Sequence, residues 1–124
     1  MNTQTIAVVG VHVLDTHALR VESIPNGSDG ALVDTIRMSA AGTAGGTGLV
    51  LQRLGAQVHS IGTVGQDPIG DTLLALLDRE GIDTSRISRL PDVQTSASVI
   101  PVRPNGDRVR TVTGRPAKSS STCV

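Results

Sequence analysis

The stretch Gly42-Thr-Ala-Gly-Gly-Thr-Gly48 opens the part of the chain that decides the fold. The segment Val58–Gly62 follows, and after it comes Val64-Gly-Gln-Asp-Pro-Ile-Gly-Asp-Thr-Leu-Leu-Ala-Leu-Leu-Asp-Arg-Glu-Gly-Ile-Asp83. We interpret the order as a glycine loop, a helix, a strand, a tight turn and a second helix. This alternation predicts an α/β layer.

The two helices are predicted from the spacing of apolar residues and from the signals at their ends. The first is expected at about 46–54, with Gly55 as its stop. In the second, Asp67 is an N-cap in front of Pro68, the following leucines recur at helical spacing, and Gly81 ends the helix. The second helix is the better defined of the two.

Strands are predicted on both sides of this central part. Asn-Gly within 104–107, between two alternating runs, is the strongest short-range signal for a hairpin. The first apolar run, which ends at Gly10, suits a buried parallel strand. The predicted strands are Ile6–Val9, Val11–Glu22, Leu32–Met38, Val58–Ile61, Thr95–Val102 and Arg108–Val112.

In this order the segments resemble the amino-terminal part of the ribokinase-like (PfkB) carbohydrate kinases, from about residue 6 to residue 110. The resemblance implies an α/β fold with an incomplete central parallel sheet, flanking helices and a small β-sheet lid. Residues 1–113 would then be the amino-terminal part of a kinase domain, with lid strands at about 11–40 and 95–113. Residues 114–124 lose the pattern, and we expect a disordered tail or an out-of-frame ending.

The resemblance also implies substrate-binding residues. An aspartate at the spacing of Asp15 accepts hydrogen bonds from sugar hydroxyls in the family. Gly42, Thr43 and Gly46 fill the position of the family's glycine pair and following asparagine, where backbone N–H groups at a helix start can donate. Ala41 replaces the first glycine, and the sugar stays unassigned. Without the resemblance, these residues read as a solvated aspartate and a flexible glycine turn.

The family transfers the γ-phosphate of ATP to a sugar or nucleoside hydroxyl, with Mg²⁺. The resemblance places the catalytic base, the anion hole and the ATP site around a carboxyl-terminal Gly-Ala-Gly-Asp motif, and no such string occurs in this sequence. We therefore assign no catalytic, cofactor-binding or metal-binding residue, and we expect this chain alone to have no kinase activity.

Other motifs point to structure rather than chemistry. The segment at 65–70 resembles the family's first signature region and is interpreted as architectural. His12, His17 and His59 have no partners at metal-ligand spacing and are expected to be surface or satisfied histidines. The glycine run lacks both the lysine of a phosphate loop and the glycine order of a dinucleotide site.

Composition excludes several functional classes. Eleven basic and eleven acidic residues cancel, which favours neither nucleic acid nor a membrane surface as partner. No run is apolar enough for a bilayer span or a signal peptide, so a cytoplasmic location is expected. Cys123 is the only cysteine, and there are no aromatic residues but 14 glycines. We expect marginal stability and a loosely packed or aggregation-prone product.

Three functional hypotheses follow. The first is a truncated carbohydrate kinase that carries the lid and part of a site for a small sugar or nucleoside. The second is a non-catalytic binding or dimerisation module that uses the lid sheet, because open strand edges can pair across subunits. The third, an unrelated nucleotide-binding protein, needs a phosphate loop that is absent here.

Overall fold

The structure, a computed structural model, describes residues 3–108 and 111–113. Strands and helices alternate through this part of the chain, as the α/β prediction requires. The elements are β1 Thr5–Val9, β2 Val13–Leu19, β3 Thr35–Ala41, α1 Gly42–Arg53, β4 Gln57–Gly65, α2 Pro68–Arg79, β5 Asp83–Leu90, β6 Ala97–Val102 and β7 Thr111–Thr113. In the described residues no helix is both long and apolar enough to cross a bilayer. The predicted tail, 114–124, lies outside them.

The first sheet is parallel and has the strand order β1-β4-β5. Val8 is paired with Ser60 across β1 and β4, and Gly62 with Ile87 across β4 and β5. Both crossovers move in the same direction across the sheet, and right-handed connections then place α1 and α2 on the same face. The core lies between that face and the helices. Its buried apolar residues are Val8, Leu14, Ala40, Ala44, Val58, Val64, Leu73, Leu77, Ile82 and Ile87.

The opposite face of the first sheet carries no helix within residues 3–108. Strand β1 lies at the edge of the sheet, where Val8 is buried but Val9 is 72% exposed. A parallel strand was predicted here and is present. The expectation that it is buried is wrong for most of its length, because β1 has a partner on one side only and a helix on one face only.

The second sheet is mixed and has the order β3-β2-β6-β7. Strand β2 is antiparallel to β3 and parallel to β6, and β7 is antiparallel to β6. The predicted hairpin between β6 and β7 is confirmed: the N–H of Arg103 donates to the carbonyl of Asp107 at 2.8 Å, and Gly106 has a φ of 90°. Glycine is favoured at such a turn position because it has no Cβ.

Helix α1 begins at Gly42 and not near Gly46, so the prediction of a glycine loop at 42–48 is wrong. Two of these glycines face neighbouring elements at ordinary van der Waals distance. A Cβ added to Gly48 would lie 3.4 Å from the Val8 side chain, and one added to Gly45 would lie 3.7 Å from the His12 ring. Packing against the sheet thus overrides the low helix propensity of glycine.

Strands β2, β3 and β5 differ most from their predictions. Strand β2 covers Val13–Leu19 and not Val11–Glu22. Strand β3 covers Thr35–Ala41 and not Leu32–Met38, because Leu32 is fully exposed in the segment before it. Strand β5 has no counterpart among the predicted strands. Most of its residues are charged or carry hydroxyl groups, and Ile87 is its one buried residue, so it lacks an apolar pattern.

Helix α2 has the predicted ends. The Asp67 carboxylate accepts a hydrogen bond from the N–H of Gly70 at 2.7 Å, and Pro68 is the first helical residue. Gly81 follows the last turn with a φ of 83°. The helix presents Leu73 and Leu77, both fully buried, to the core, as its apolar spacing predicts.

Candidate functional site

A polar row crosses the second sheet at the middle of β2. Asp15 is the register partner of Ser39 on β3 and of Ser98 on β6, so the three side chains lie on the same face. The Ser98 hydroxyl donates a hydrogen bond to Oδ1 of Asp15. Ser98 is 2% exposed, whereas Asp15 is half-buried. The carboxylate is therefore held on one side and reachable on the other.

The neighbouring register rows on this face show what lies on either side of Asp15 along β2. One row towards α1, Val13 is paired with Ala41, the residue immediately before the helix. One row the other way, His17 is paired with Arg37. The Asp15 carboxylate thus lies between the start of a helix and a row that contains Arg37.

The start of α1 is fixed against the link between β1 and β2. The carbonyl of Val11 accepts from the N–H of Ala44 at 3.0 Å, and the N–H of Val11 donates to Oγ1 of Thr43 at 3.2 Å. Gly42 has a φ of 86°, and a Cβ there would lie 2.4 Å from the Val11 carbonyl oxygen. A hydroxyl that accepts from Val11 can still donate its own proton, and within the described residues Thr43 Oγ1 has no acceptor.

The structure brings the four predicted substrate-binding residues to one region. Asp15 lies in the polar row of the second sheet, and Gly42 and Thr43 form the first turn of the helix that continues from β3. Gly46 lies one turn further along α1, with no atom within 4 Å of where its Cβ would be. The space beside Gly46 is therefore open, as a surface that contacts a ligand requires.

His12 is buried at the carboxyl edge of the first sheet. From the sequence, a surface histidine or one with satisfied hydrogen bonds was expected. His12 is 2% exposed, and its Nε2 lies 2.6 Å from Oγ of Ser60. Burial lowers the pKa of His12, which favours the neutral ring. A Cβ on Gly62 would come within 2.6 Å of Nδ1 of the ring. The ring therefore anchors the β1–β2 link on β4.

Asp67 does more than cap α2, because its carboxylate also holds Thr95. Its Oδ1 accepts from the Thr95 hydroxyl at 2.7 Å and its Oδ2 from the Thr95 N–H at 2.8 Å. The Thr95 Oγ1 in turn accepts from the N–H of Gly65 at 2.8 Å. Burial on its own raises the pKa of Asp67, but hydrogen bonds from Thr95 and Gly70 and the charge of Arg89 outweigh it and keep that pKa low.

This Asp67–Thr95 clasp joins the two sheets. Gly65 is the last residue of β4, and Thr95 lies two residues before Ala97, the first residue of β6. Both glycines of the segment are required at close approach: a Cβ on Gly65 would lie 2.0 Å from the Val93 carbonyl oxygen, and one on Gly70 would lie 2.4 Å from the Gly65 carbonyl oxygen. The architectural role expected of this segment thus has a physical basis, although Thr95 was not foreseen.

A charged cluster lies on the face of the first sheet that the helices leave bare. His59 Nδ1 is 2.6 Å from Oδ2 of Asp83, and Nη1 of Arg86 is 3.7 Å from the same oxygen. Hydrogen bonds from Ser85 and from His59 lower the pKa of Asp83 to about 2. Within the described part of the chain, no three His, Cys, Asp or Glu side chains are grouped so as to hold a metal ion.

Comparison with known proteins identifies the relatives of this chain. The model of the pfkB family carbohydrate kinases matches residues 3–122. A provisionally assigned ribokinase from Agrobacterium tumefaciens is 28% identical with a TM-score of 0.81, over 91% of this chain and 37% of that one. A fructokinase from Xylella fastidiosa is 25% identical with a TM-score of 0.69, over 91% of this chain and 33% of that one.

A ribokinase from Arabidopsis thaliana, solved with ribose and ATP, shows the same fold at 19% identity, with a TM-score of 0.70 over 91% of this chain and 36% of that one. The ribokinase-like fold expected from the sequence is thereby confirmed. The chain spans roughly a third of the length of these relatives.

Proposed function

The chain belongs to the pfkB family of carbohydrate kinases, and from this premise we propose that it supplies the sugar-binding part of an ATP-dependent sugar or nucleoside kinase. The observation that carries the proposal is the polar row Ser39–Asp15–Ser98 beside the first turn of α1. A half-buried carboxylate next to helix N–H groups is suited to an uncharged ligand with several hydroxyls, because it offers acceptors and donors together.

In this proposal each predicted residue has a role. Asp15 accepts a hydrogen bond from a sugar hydroxyl, which is stronger than a neutral hydrogen bond because the acceptor is charged. The backbone at Gly42 and the hydroxyl of Thr43 donate to sugar oxygens. Gly46 leaves room for the sugar beside the helix. The second sheet acts as the lid, and the described strands at 13–41 and 97–113 belong to it.

We propose that residues 3–108 do not form the ATP and Mg²⁺ sites of the kinase. The glycine run of α1 continues into Leu49 without the lysine and hydroxyl residue of a phosphate loop. Among the described residues, no three His, Cys, Asp or Glu side chains are placed together as ligands for a metal ion such as Mg²⁺. We therefore propose that this chain alone binds a sugar in the cytoplasm and does not phosphorylate it.

The proposal is tested by calorimetric titration of the full chain with D-ribose, D-fructose and adenosine. We expect at least one of them to bind, and Asp15→Asn to weaken that binding about tenfold or more, because a charged hydrogen bond is lost. Asp29→Asn, at an exposed turn, is the matched control and leaves binding unchanged. Absence of binding to every sugar, or ATP-dependent phosphorylation by the purified chain, contradicts the proposal.

A second candidate function, dimerisation through the second sheet, is favoured by an apolar patch. On the face opposite Asp15, Met38 and Val99 flank Thr16 in one row, and they are 53% and 56% exposed. Ile36, in the next row on β3, is 64% exposed. Such a patch beside an open strand edge is suited to a second copy of the chain.

Sedimentation equilibrium tests this candidate. We expect a dimer for the unmodified chain and a monomer for Met38→Asp/Val99→Asp, because charges on the patch oppose its burial. A dimer that persists in the double variant, or a monomer without any substitution, excludes the patch as the interface.

A further inference from the structure

The hydrogen bond between Ser98 and Asp15 restrains the carboxylate before any ligand arrives. Ser98 is 2% exposed and lies in register with Asp15 on the parallel pair β2–β6, although 83 residues separate them in sequence. Its hydroxyl donates to Oδ1 of the carboxylate. The donor is therefore supplied by a fixed, buried position of the second sheet.

A serine hydroxyl has one proton, and here that proton is given to Asp15. A carboxylate with both oxygens free can accept from two neighbouring hydroxyls of a sugar. In this chain Oδ1 already accepts from the buried Ser98, and within the described residues no other hydrogen bond is made to the half-buried Asp15 carboxylate. We infer that Ser98 is a positioning residue that fixes the Asp15 carboxylate so that Oδ2 receives a single hydroxyl of the substrate.

This inference rests on the proposed sugar site, but it makes a claim about the free protein as well. A side chain that is already held in one rotamer loses less conformational entropy on binding. Ser98 thus contributes to affinity without touching the sugar. It also contributes to specificity, because Asp15 then accepts a hydrogen bond from one hydroxyl of the sugar and not from two neighbouring hydroxyls.

The first measurement needs no sugar. In the full chain, NMR coupling constants across the Cα–Cβ bond report the rotamer of Asp15. We expect one rotamer in the unmodified protein and in Ser98→Thr, which keeps the hydroxyl, and averaging in Ser98→Ala. Ser60→Ala is the matched control, since Ser60 is also buried and bonded to a side chain, but in the first sheet. It is expected to leave Asp15 in one rotamer. An averaged Asp15 in the unmodified chain, or an unchanged one in Ser98→Ala, overturns the inference.

The second measurement titrates the variants with D-ribose, D-fructose and adenosine and with their monodeoxy forms. For a sugar that binds, we expect Ser98→Ala to weaken binding about three- to tenfold and Ser98→Thr to restore it. We also expect Ser98→Ala to reduce the penalty for removing one hydroxyl, because the freed Oδ1 accepts from a second one. Unchanged affinity and unchanged discrimination in Ser98→Ala overturn the inference while the sugar site stands. A single Asp15 rotamer that depends on Ser98, without binding of any sugar, supports the positioning and contradicts the proposed function.

Discussion

At the scale of single residues, the glycines of this chain occupy two kinds of position. Gly65 lies where a Cβ would come within 2.0 Å of the Val93 carbonyl oxygen, while Gly46 has open space around the position of its missing side chain. The first glycine is required for close approach of two backbones. The second is tolerated within a helix, where glycine is less favourable than alanine.

Alanine substitution separates the two cases. We expect Gly65→Ala to destabilise the fold by about 1–3 kcal/mol, because the methyl group forces the backbone of two segments apart. Gly46→Ala is the matched control and is expected to stabilise it by about 0.5–1 kcal/mol through helix propensity. Urea unfolding followed by circular dichroism measures both. Equal effects of the two substitutions would refute the distinction.

Asp83 gives a prediction on acid stability. Folding lowers its pKa from 3.8 to about 2, so its stabilising contribution is complete above pH 3.8 and is lost as the pH falls through about 2. As the pH is lowered from 3.8 to about 2, we expect the urea midpoint of the unmodified chain to decrease. The urea midpoint of Asp83→Asn should decrease less steeply over the same pH range. Asp29→Asn, with an exposed carboxyl, should leave the slope unaltered. A slope that is the same in Asp83→Asn would show that this carboxylate is not involved.

At the scale of elements, local signals and distant contacts were predictable to different degrees. Helix α2 is set by Asp67, Pro68 and the leucine spacing, all adjacent in sequence, and its prediction holds. The start of α1 depends on the contacts of Gly42 and Ala44 with Val11, 31 and 33 residues earlier in the chain, which no local pattern reveals. Strand β5 is fixed by its pairing with β4. Its own residues are mostly polar, so the sequence did not predict a strand there.

The same division applies to the candidate site. The positions of Asp15, Gly42, Thr43 and Gly46 followed from a family resemblance, and their role as ligands stays a prediction. Ser98 was not foreseen, because only the pairing of β2 with β6 places it beside Asp15. Single-sequence patterns find residues that are close in the chain, whereas a site assembled across strands needs the register.

The clasp between Asp67 and Thr95 yields a prediction at this scale. Asp67→Asn and Thr95→Val each break hydrogen bonds between the start of α2 and the segment leading to β6. We expect each to cost about 1–3 kcal/mol of unfolding free energy and the double variant to cost clearly less than the sum, because the two residues share those bonds. Thr72→Val, at an exposed helical hydroxyl that bonds only the Pro68 carbonyl, serves as control. Strict additivity would mean that the two side chains act independently.

At the scale of the whole molecule, the first sheet is the unusual part. Parallel sheets are normally covered by helices on both faces. Here both helices lie on one face, and Val9 at the edge of β1 is 72% exposed. The solved relatives are about three times as long as the matched segment. The core is also built without any aromatic side chain.

We therefore expect this edge to promote aggregation when the chain is concentrated, separately from any dimer formed through the second sheet. Val9→Lys should reduce light scattering and aggregation during concentration, since charges on an edge strand oppose pairing between chains. Leu32→Lys places the same charge on an exposed residue away from the sheet and is expected to have little effect. If both lysines act equally, net charge and not the β1 edge governs association.

The parallel pairing of β2 with β6 has a consequence for synthesis on the ribosome. Strand β2 ends at Leu19, and its partner begins at Ala97, with β3, both helices, β4 and β5 made in between. At typical translation rates of about 5–20 residues per second, the nascent β2–β3 hairpin waits for several seconds with one edge unpaired. During that interval Asp15 has Ser39 beside it but not Ser98. The carboxylate is restrained only after Ser98 has left the exit tunnel and β6 has paired with β2.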